Sequence, residues 1–136
     1  VRLAGDGWLH RKGAAAPDRG LVPLAGSRET PSFLLEVPDL VPGALGSVSH
    51  GAGRRYDRSS MHGRIRKQKS VLAGLTRNRF GGRVVCADPD LLLEEAGLAY
   101  KAPEAVLGDL ERFGLAQPIA RLLPLLTFKT AGGRDD

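Results

Sequence analysis

The sequence predicts an α+β fold, a mixed sheet whose strands are joined by glycine-rich loops in its first half and short helices in its second. Three observations predict it. Short apolar runs bounded by glycine and proline fill residues 7–46, the pattern of strands rather than helices. Beyond Asp57, apolar residues recur at helical spacing between capping residues. A length of 136 residues suits one domain of ordinary size.

The elements follow in order. Residues 1–12 alternate charge, glycine and single apolar residues, which is not the basic start and apolar stretch of a targeting segment. Leu21–Leu24 reads as a short strand ending at Gly26-Ser27, and Phe33–Val37 as another. A Pro/Gly-rich connector, Pro38–Gly46, delivers the chain to Ser49-His50-Gly51-Ala52-Gly53-Arg54. Loops of this kind bring backbone close to a ligand or to another backbone. One basic helix is expected from Asp57 or Ser59 to Lys69, since the stretch lacks proline. Arg83–Ala87 reads as a strand. Asp88 then offers an N-cap and Pro89 a first helical position, with Leu91, Leu92 and Ala96 following before Gly97 stops the helix. Pro103 opens a further helix with Val106, Leu107, Leu110 and Phe113 on one face, closed by Gly114. Leu122–Phe128 reads as a last strand, placed at an edge or bulge by Pro124. The domain is expected to end near residue 131, with 132–136 frayed.

Composition narrows the function classes. The longest apolar region, Ile119–Phe128, is interrupted by Arg121 and Pro124, short of the ~20 apolar residues that cross a bilayer. A soluble protein without a membrane partner is expected. Cys86 is the only cysteine, which excludes an intrachain disulfide and a cysteine-based zinc site and suits a reducing cytoplasm. Its apolar neighbours make it a small core residue. Net charge is +5 and unevenly spread. Residues 54–83 hold ten of the twenty basic residues and one acid, Asp57, whereas 86–113 hold seven acids against Lys101 and Arg112. Such a positive segment suits a polyanionic partner such as nucleic acid, although a solvated helix face would carry the same charge.

The segment Ser49–Arg54 holds the chemistry. A histidine between small residues can present a ring nitrogen while exposed backbone N–H groups cradle a phosphate and Arg54 adds charge. Neutral imidazole attacks phosphorus and forms a phosphoramidate, which divides one difficult transfer into two. A histidine that only bonds to backbone within a glycine-rich turn is the competing reading.

Ser-His-Gly-Ala-Gly-Arg resembles the signature of the RtcB-type RNA ligases, and four further segments resemble that family in the same order. They are His10-Arg11-Lys12-Gly13-Ala14, Leu24-Ala25-Gly26-Ser27 with Ser32, Ala99-Tyr100-Lys101, and Lys129 after an apolar strand. Together they imply the carboxy-terminal part of the RtcB fold. The resemblance implies that His50 becomes covalently guanylylated by GTP. It implies a guanine-nucleotide site built from Ala25, Gly26, Ser27, Arg28, Ser32, Gly51, Ala52, Gly53, Tyr100 and Lys129. Lys12, Arg54 and Arg58 would hold RNA phosphate. The implied reaction joins RNA ending in a 3′-phosphate or 2′,3′-cyclic phosphate to RNA with a 5′-hydroxyl, as in tRNA splicing or RNA repair. A non-catalytic RNA-binding fragment is the alternative.

Manganese is the implied metal, and its Asp, Cys and His ligands are expected upstream of this segment, with none among these residues. The chain is accordingly expected to be a fragment of the enzyme or one part of a split gene, inactive alone. Ala25 stands where the family has proline, and Arg55-Tyr56-Asp57-Arg58 replaces a small-x-Ser-Arg pattern. These departures resemble the branch coupled to a release-factor-like protein. His62 and His10 match nothing in the resemblance and read as surface and loop residues.

Overall fold

The structure, a computed structural model, describes residues 2–4, 7–17, 20–38 and 43–129. The expected frayed tail, 132–136, lies outside the described residues, as does part of the Pro38–Gly46 connector.

The class is α+β, and the β-structure is divided among small sheets rather than gathered into one. β1 (Arg2–Ala4) and β2 (Gly7–Leu9) form an antiparallel pair. β3 (Ala14–Ala15) pairs antiparallel with β6 (Val48–Ser49), matching Ala14 to Ser49. β4 (Leu21–Leu24) and β5 (Ser32–Glu36) form the expected strands, and β8 (Gln117–Leu122) completes an antiparallel sheet in the order β4-β5-β8. β7 (Arg83–Cys86) runs parallel to β9 (Leu126–Lys129). The helices are α1 (Arg58–Arg64), α2 (Lys69–Gly74), α3 (Pro89–Glu94) and α4 (Pro103–Arg112), with a 3₁₀ turn at Gly97–Ala99.

Alternation places the core. Val22 and Leu24 on β4 and Phe33 and Leu35 on β5 are buried while their neighbours face outward, and Leu107 and Leu110 of α4 close over them with Val48 and Ala116. Each fully buried leucine contributes roughly 2 kcal/mol by removal of apolar surface from water. A second cluster, Met61, Ala96 and Ala99 with Tyr56, Ile65, Leu75 and Tyr100 at its margin, joins α1 to α3. It lies beneath the histidine loop's downstream end.

Several expectations need correction. The basic helix is shorter than expected: Asp57 caps α1, its carboxylate accepting from Ser60 N, but Ile65 is extended, 65–68 is not helical, and Lys69 already opens α2. A continuous helix would set Arg64 against Lys67 and Arg66 against Lys69, repelling at helical spacing. Phe113 leaves the buried face of α4 because it caps the helix, and it is 64% exposed. The last strand is two strands in different sheets. Pro124 has no N–H to continue a ladder, and its carbonyl accepts from Asn78 Nδ2 at 2.7 Å. Cys86 is half-buried at the end of β7, its Sγ donating to Asp88 O. His62 is surface, yet it pairs with Glu94 at 3.0 Å.

Candidate active site

The loop that carries His50 is tied down on both sides. Upstream, β3–β6 pairing holds Ser49 beside Ala14, and Ala25 N donates to His50 O at 2.8 Å. Ala25 and Gly51 also form an isolated parallel bridge. Downstream, Lys101 N donates to Gly53 O at 3.1 Å, Arg55 N donates to Ala99 O at 2.8 Å, and Arg54 bridges Tyr100. Gly53 has φ +73°, a left-handed conformation that disfavours side chains. Three segments distant in sequence, 13–14, 25–26 and 99–101, thus converge on residues 49–54.

His50 is exposed. It lines a cavity of about 250 Å³ with Gly13, Ala25, Gly26, Gly51, Ala52, Gly53, Tyr100 and Lys101. A second cavity of similar size shares Gly26 and Tyr100 and is walled by Ser27, Arg28, Ser32, Glu95, Thr127 and Lys129. The ten residues assigned to nucleotide binding therefore line two cavities with common walls.

The side chains differ in how committed they are. Ser32 Oγ accepts from Gly26 N at 3.0 Å, and Ser27 Oγ meets Thr30 Oγ1 at 3.0 Å, so both hydroxyls also shape their own loop. Arg28 is buried, its Nη2 donating to Leu92 O at 2.9 Å, while Nη1 is buried without a hydrogen-bond partner among the described residues. Burial pulls its pKa below the ordinary arginine value. An unmet donor of this kind costs about 1–3 kcal/mol. Asn78 supports the loop from behind, its amide nitrogen donating to Arg28 O and Pro124 O and its oxygen accepting from Phe80 N and Gly82 N.

Arg54 does not project into solvent. Its Nε donates to Tyr56 O at 2.9 Å, Nη2 to Glu94 O at 2.6 Å, and Nη1 to Glu95 Oε1 at 3.1 Å and the Tyr100 hydroxyl at 3.2 Å. Its guanidinium lies 4.9 Å from the Tyr100 ring centre. Arg58 is the exposed cation of the pair, 3.5 Å from Glu95 through Nε. Lys12 is exposed near the loop's upstream side, next to Gly13 in the cavity wall.

Glu95 was not legible as a site residue, and it proves to be the acid around which the cations gather. Its side chain is 8% exposed; it accepts from the Tyr100 hydroxyl and Arg54, and Lys129 Nζ lies 3.5 Å from it. Burial raises its pKa, but the Tyr100 hydrogen bond and then Lys129, Arg54 and Arg58 outweigh burial and leave it below the ordinary carboxylate value. For Tyr100 burial and the same hydrogen bond act together and push the hydroxyl up. The signal for Glu95 is an acid set among Leu92, Leu93 and Ala96, at a helix end that buries its neighbours.

Metal ligands are a different matter. Among the described residues no group of three His, Cys, Asp or Glu side chains is placed to hold a metal ion. These residues do not fit a manganese site.

The pattern that describes the tRNA-splicing ligase RtcB family matches residues 3–130. The chain is 45% identical over 129 residues to RNA-splicing ligase RtcB2 of Escherichia coli, covering 95% of this chain and 34% of that protein. It is 32% identical over 132 residues to tRNA-splicing ligase RtcB of Archaeoglobus fulgidus, covering 86% of this chain and 27% of that one. A similar relation, 30% over 138 residues, holds with tRNA-splicing ligase RtcB of Pyrobaculum aerophilum. The chain thus spans about a third of the first relative's length and about a quarter of the other two. With a match from residue 3 to residue 130, and with the histidine loop, the serine loop, Tyr100 and Lys129 drawn around two adjoining cavities, the chain belongs to the RtcB family of tRNA-splicing ligases.

Proposed function

We propose that the whole protein to which this chain belongs is a GTP-dependent RNA ligase, and that this part supplies the histidine that becomes guanylylated. The observation that carries the reading is the placement of His50. Its ring is exposed within small residues, at a cavity whose walls continue to Ser32 and Lys129. A ring sealed in hydrocarbon could not reach phosphorus.

In the proposed first step a ring nitrogen of neutral His50 attacks the α-phosphorus of GTP. The nitrogen–phosphorus bond forms as the bond to the bridging oxygen breaks, pyrophosphate leaves with that electron pair, and the imidazole sheds its remaining proton to solvent. GMP then passes to an RNA 3′-phosphate, and the 5′-hydroxyl of the second RNA displaces it. A 2′,3′-cyclic end is first hydrolysed to the 3′-phosphate. Gly51 and Gly53 leave backbone free to approach phosphate, and Lys129 and Tyr100 border the space for the base. Arg58, Lys12 and the exposed Arg55, Arg64, Arg66, Lys67 and Lys69 give the RNA backbone a positive track.

Manganese would be held by ligands drawn from the rest of the ligase, because the described residues offer no such donor set. No step here depends on it. We also propose a release-factor-like partner, from Ala25 with Arg55–Asp57, and a cytoplasmic location, from the lone cysteine. No helix among the described residues is long and apolar enough to cross a membrane.

The test is incubation of the whole protein with α-labelled GTP and manganese, followed by denaturation. Label is expected to stay with the protein and to vanish entirely in His50→Ala. RNA retention without covalent label would replace the ligase with a binding module, and label persisting in His50→Ala would remove the assignment to this residue.

A further inference from the structure

Four cationic or hydroxyl groups assigned to the ligands, Arg54, Arg58, Tyr100 and Lys129, converge on one carboxylate that the resemblance assigns to nothing. Their attachments are unequal. Arg54 is held by two backbone carbonyls and by the Tyr100 hydroxyl as well as by Glu95. Its side chain is only 22% exposed. Tyr100 donates directly to Glu95 and lies under the Arg54 guanidinium. Lys129 and Arg58 are looser: each approaches Glu95 at 3.5 Å, and their side chains are 39% and 66% exposed. Among the described residues Lys129 pairs with Glu95, and Arg58 with Glu94 and Glu95.

We propose that Glu95 is the positioning residue of the nucleotide pocket, fixing Arg54 and Tyr100 permanently while holding Lys129 and Arg58 in place only until ligand oxygens take them over. The inference rests on the reading of these cavities as a guanine-nucleotide site. The physical reason is preorganisation. Three cations crowded at one wall repel one another, and a buried carboxylate holds them at the geometry a ligand needs before the ligand arrives. An exchangeable contact loses little on release, because the departing lysine or arginine gains an equivalent partner on the ligand. The committed contacts stay, since Arg54 keeps its backbone acceptors. Glu95 lies ionised at neutral pH because its partners outweigh its burial.

Two measurements separate this role from the nucleotide reading. In the chain without nucleotide, NMR is expected to show Arg54 Nη1–H, the group that donates to Glu95 Oε1, protected from exchange in the parent chain. In Glu95→Gln that protection is lost, while amides of the β4-β5-β8 sheet stay protected. Retention of the Arg54 signal in Glu95→Gln would overturn the positioning role. Titration with GMP is then expected to show binding that weakens at least tenfold in Glu95→Gln. Equal affinity in the two would overturn positioning and leave the pocket assignment standing, and tighter binding in Glu95→Gln would recast Glu95 as a mere blocker. Absence of GMP binding to the parent chain, with Arg54 behaving as expected, would overturn the nucleotide reading and the ligand-directed part of the proposal with it. Should Glu95→Gln fail to fold, Glu95→Asp serves under the same criteria: it keeps the charge but is one methylene too short to hold Arg54 and Tyr100 together.

Discussion

Replacing Gly26 by alanine adds one methyl group where the serine loop has no room. The new Cβ would overlap the Pro31 carbonyl oxygen and sit 2.7 Å from its carbon and 2.9 Å from Thr30 O. All of these are backbone atoms, so no rotamer change relieves the contact and the 26–31 turn must open. Opening strains the bond from Gly26 N to Ser32 Oγ, which is 3.0 Å long, and moves the neighbouring Ala25, whose N–H holds His50 O. Overpacking costs about 1–3 kcal/mol, and a hydrogen bond adds about 1 kcal/mol, so the loss should be about 2–4 kcal/mol. At roughly 4 °C per kcal/mol for a domain of this size, the midpoint falls by about 8–16 °C. Urea denaturation followed by the exposed Trp8 or by circular dichroism measures the free energy, and GMP titration of the folded variant measures the damage to the pocket. A Gly26→Ala chain within about 0.5 kcal/mol of the parent, binding GMP equally well, would refute the account of the loop.

The same substitution should have the opposite sign at Gly108, which lies inside α4 with no atom of the described residues within 4 Å of the place a methyl group would occupy. Gly108→Ala is expected to stabilise the chain by about 0.5–1 kcal/mol in the same urea assay, and a loss would show that α4 is not the helix described. Acid should weaken the site before the core. Burial raises the Glu95 pKa but Tyr100, Lys129, Arg54 and Arg58 lower it further, so its folded value lies below its unfolded one. Its contribution is therefore complete above about pH 4.3, the ordinary glutamate value, and is lost as pH falls through the folded value. Melting temperatures followed from pH 7 downward should show an acid-side decline that is shallower in Glu95→Gln, and parallel curves would contradict the assigned sign.

Much of the local structure was readable because it depends on neighbours in sequence. Asp88 and Pro89 start α3 and Pro103 starts α4 through caps and proline geometry, and β4 and β5 alternate buried and exposed residues as their apolar runs require. The single helix expected over 57–69 failed because its charges repel once packing on Met61 ends, and Phe113 failed because helical periodicity does not say where the helix stops. Glu95 was passed over because an acid at a helix end ordinarily faces water, and only its distant partners make it otherwise.

What the sequence determined by itself was the class, the capped helices and the set of small-residue segments that resemble one ligase family, since each is written within a few adjacent residues. Only the tertiary structure decided that residues 13, 25, 50, 95, 100 and 129 share two adjoining cavities. It also decided that Arg54 is spent on carbonyls and a carboxylate while Arg58 stays exposed. The physical reason is that hydrogen-bond geometry and burial depend on which segments meet in space, and the β3–β6, β5–β8 and β7–β9 pairings that bring them together span tens of residues.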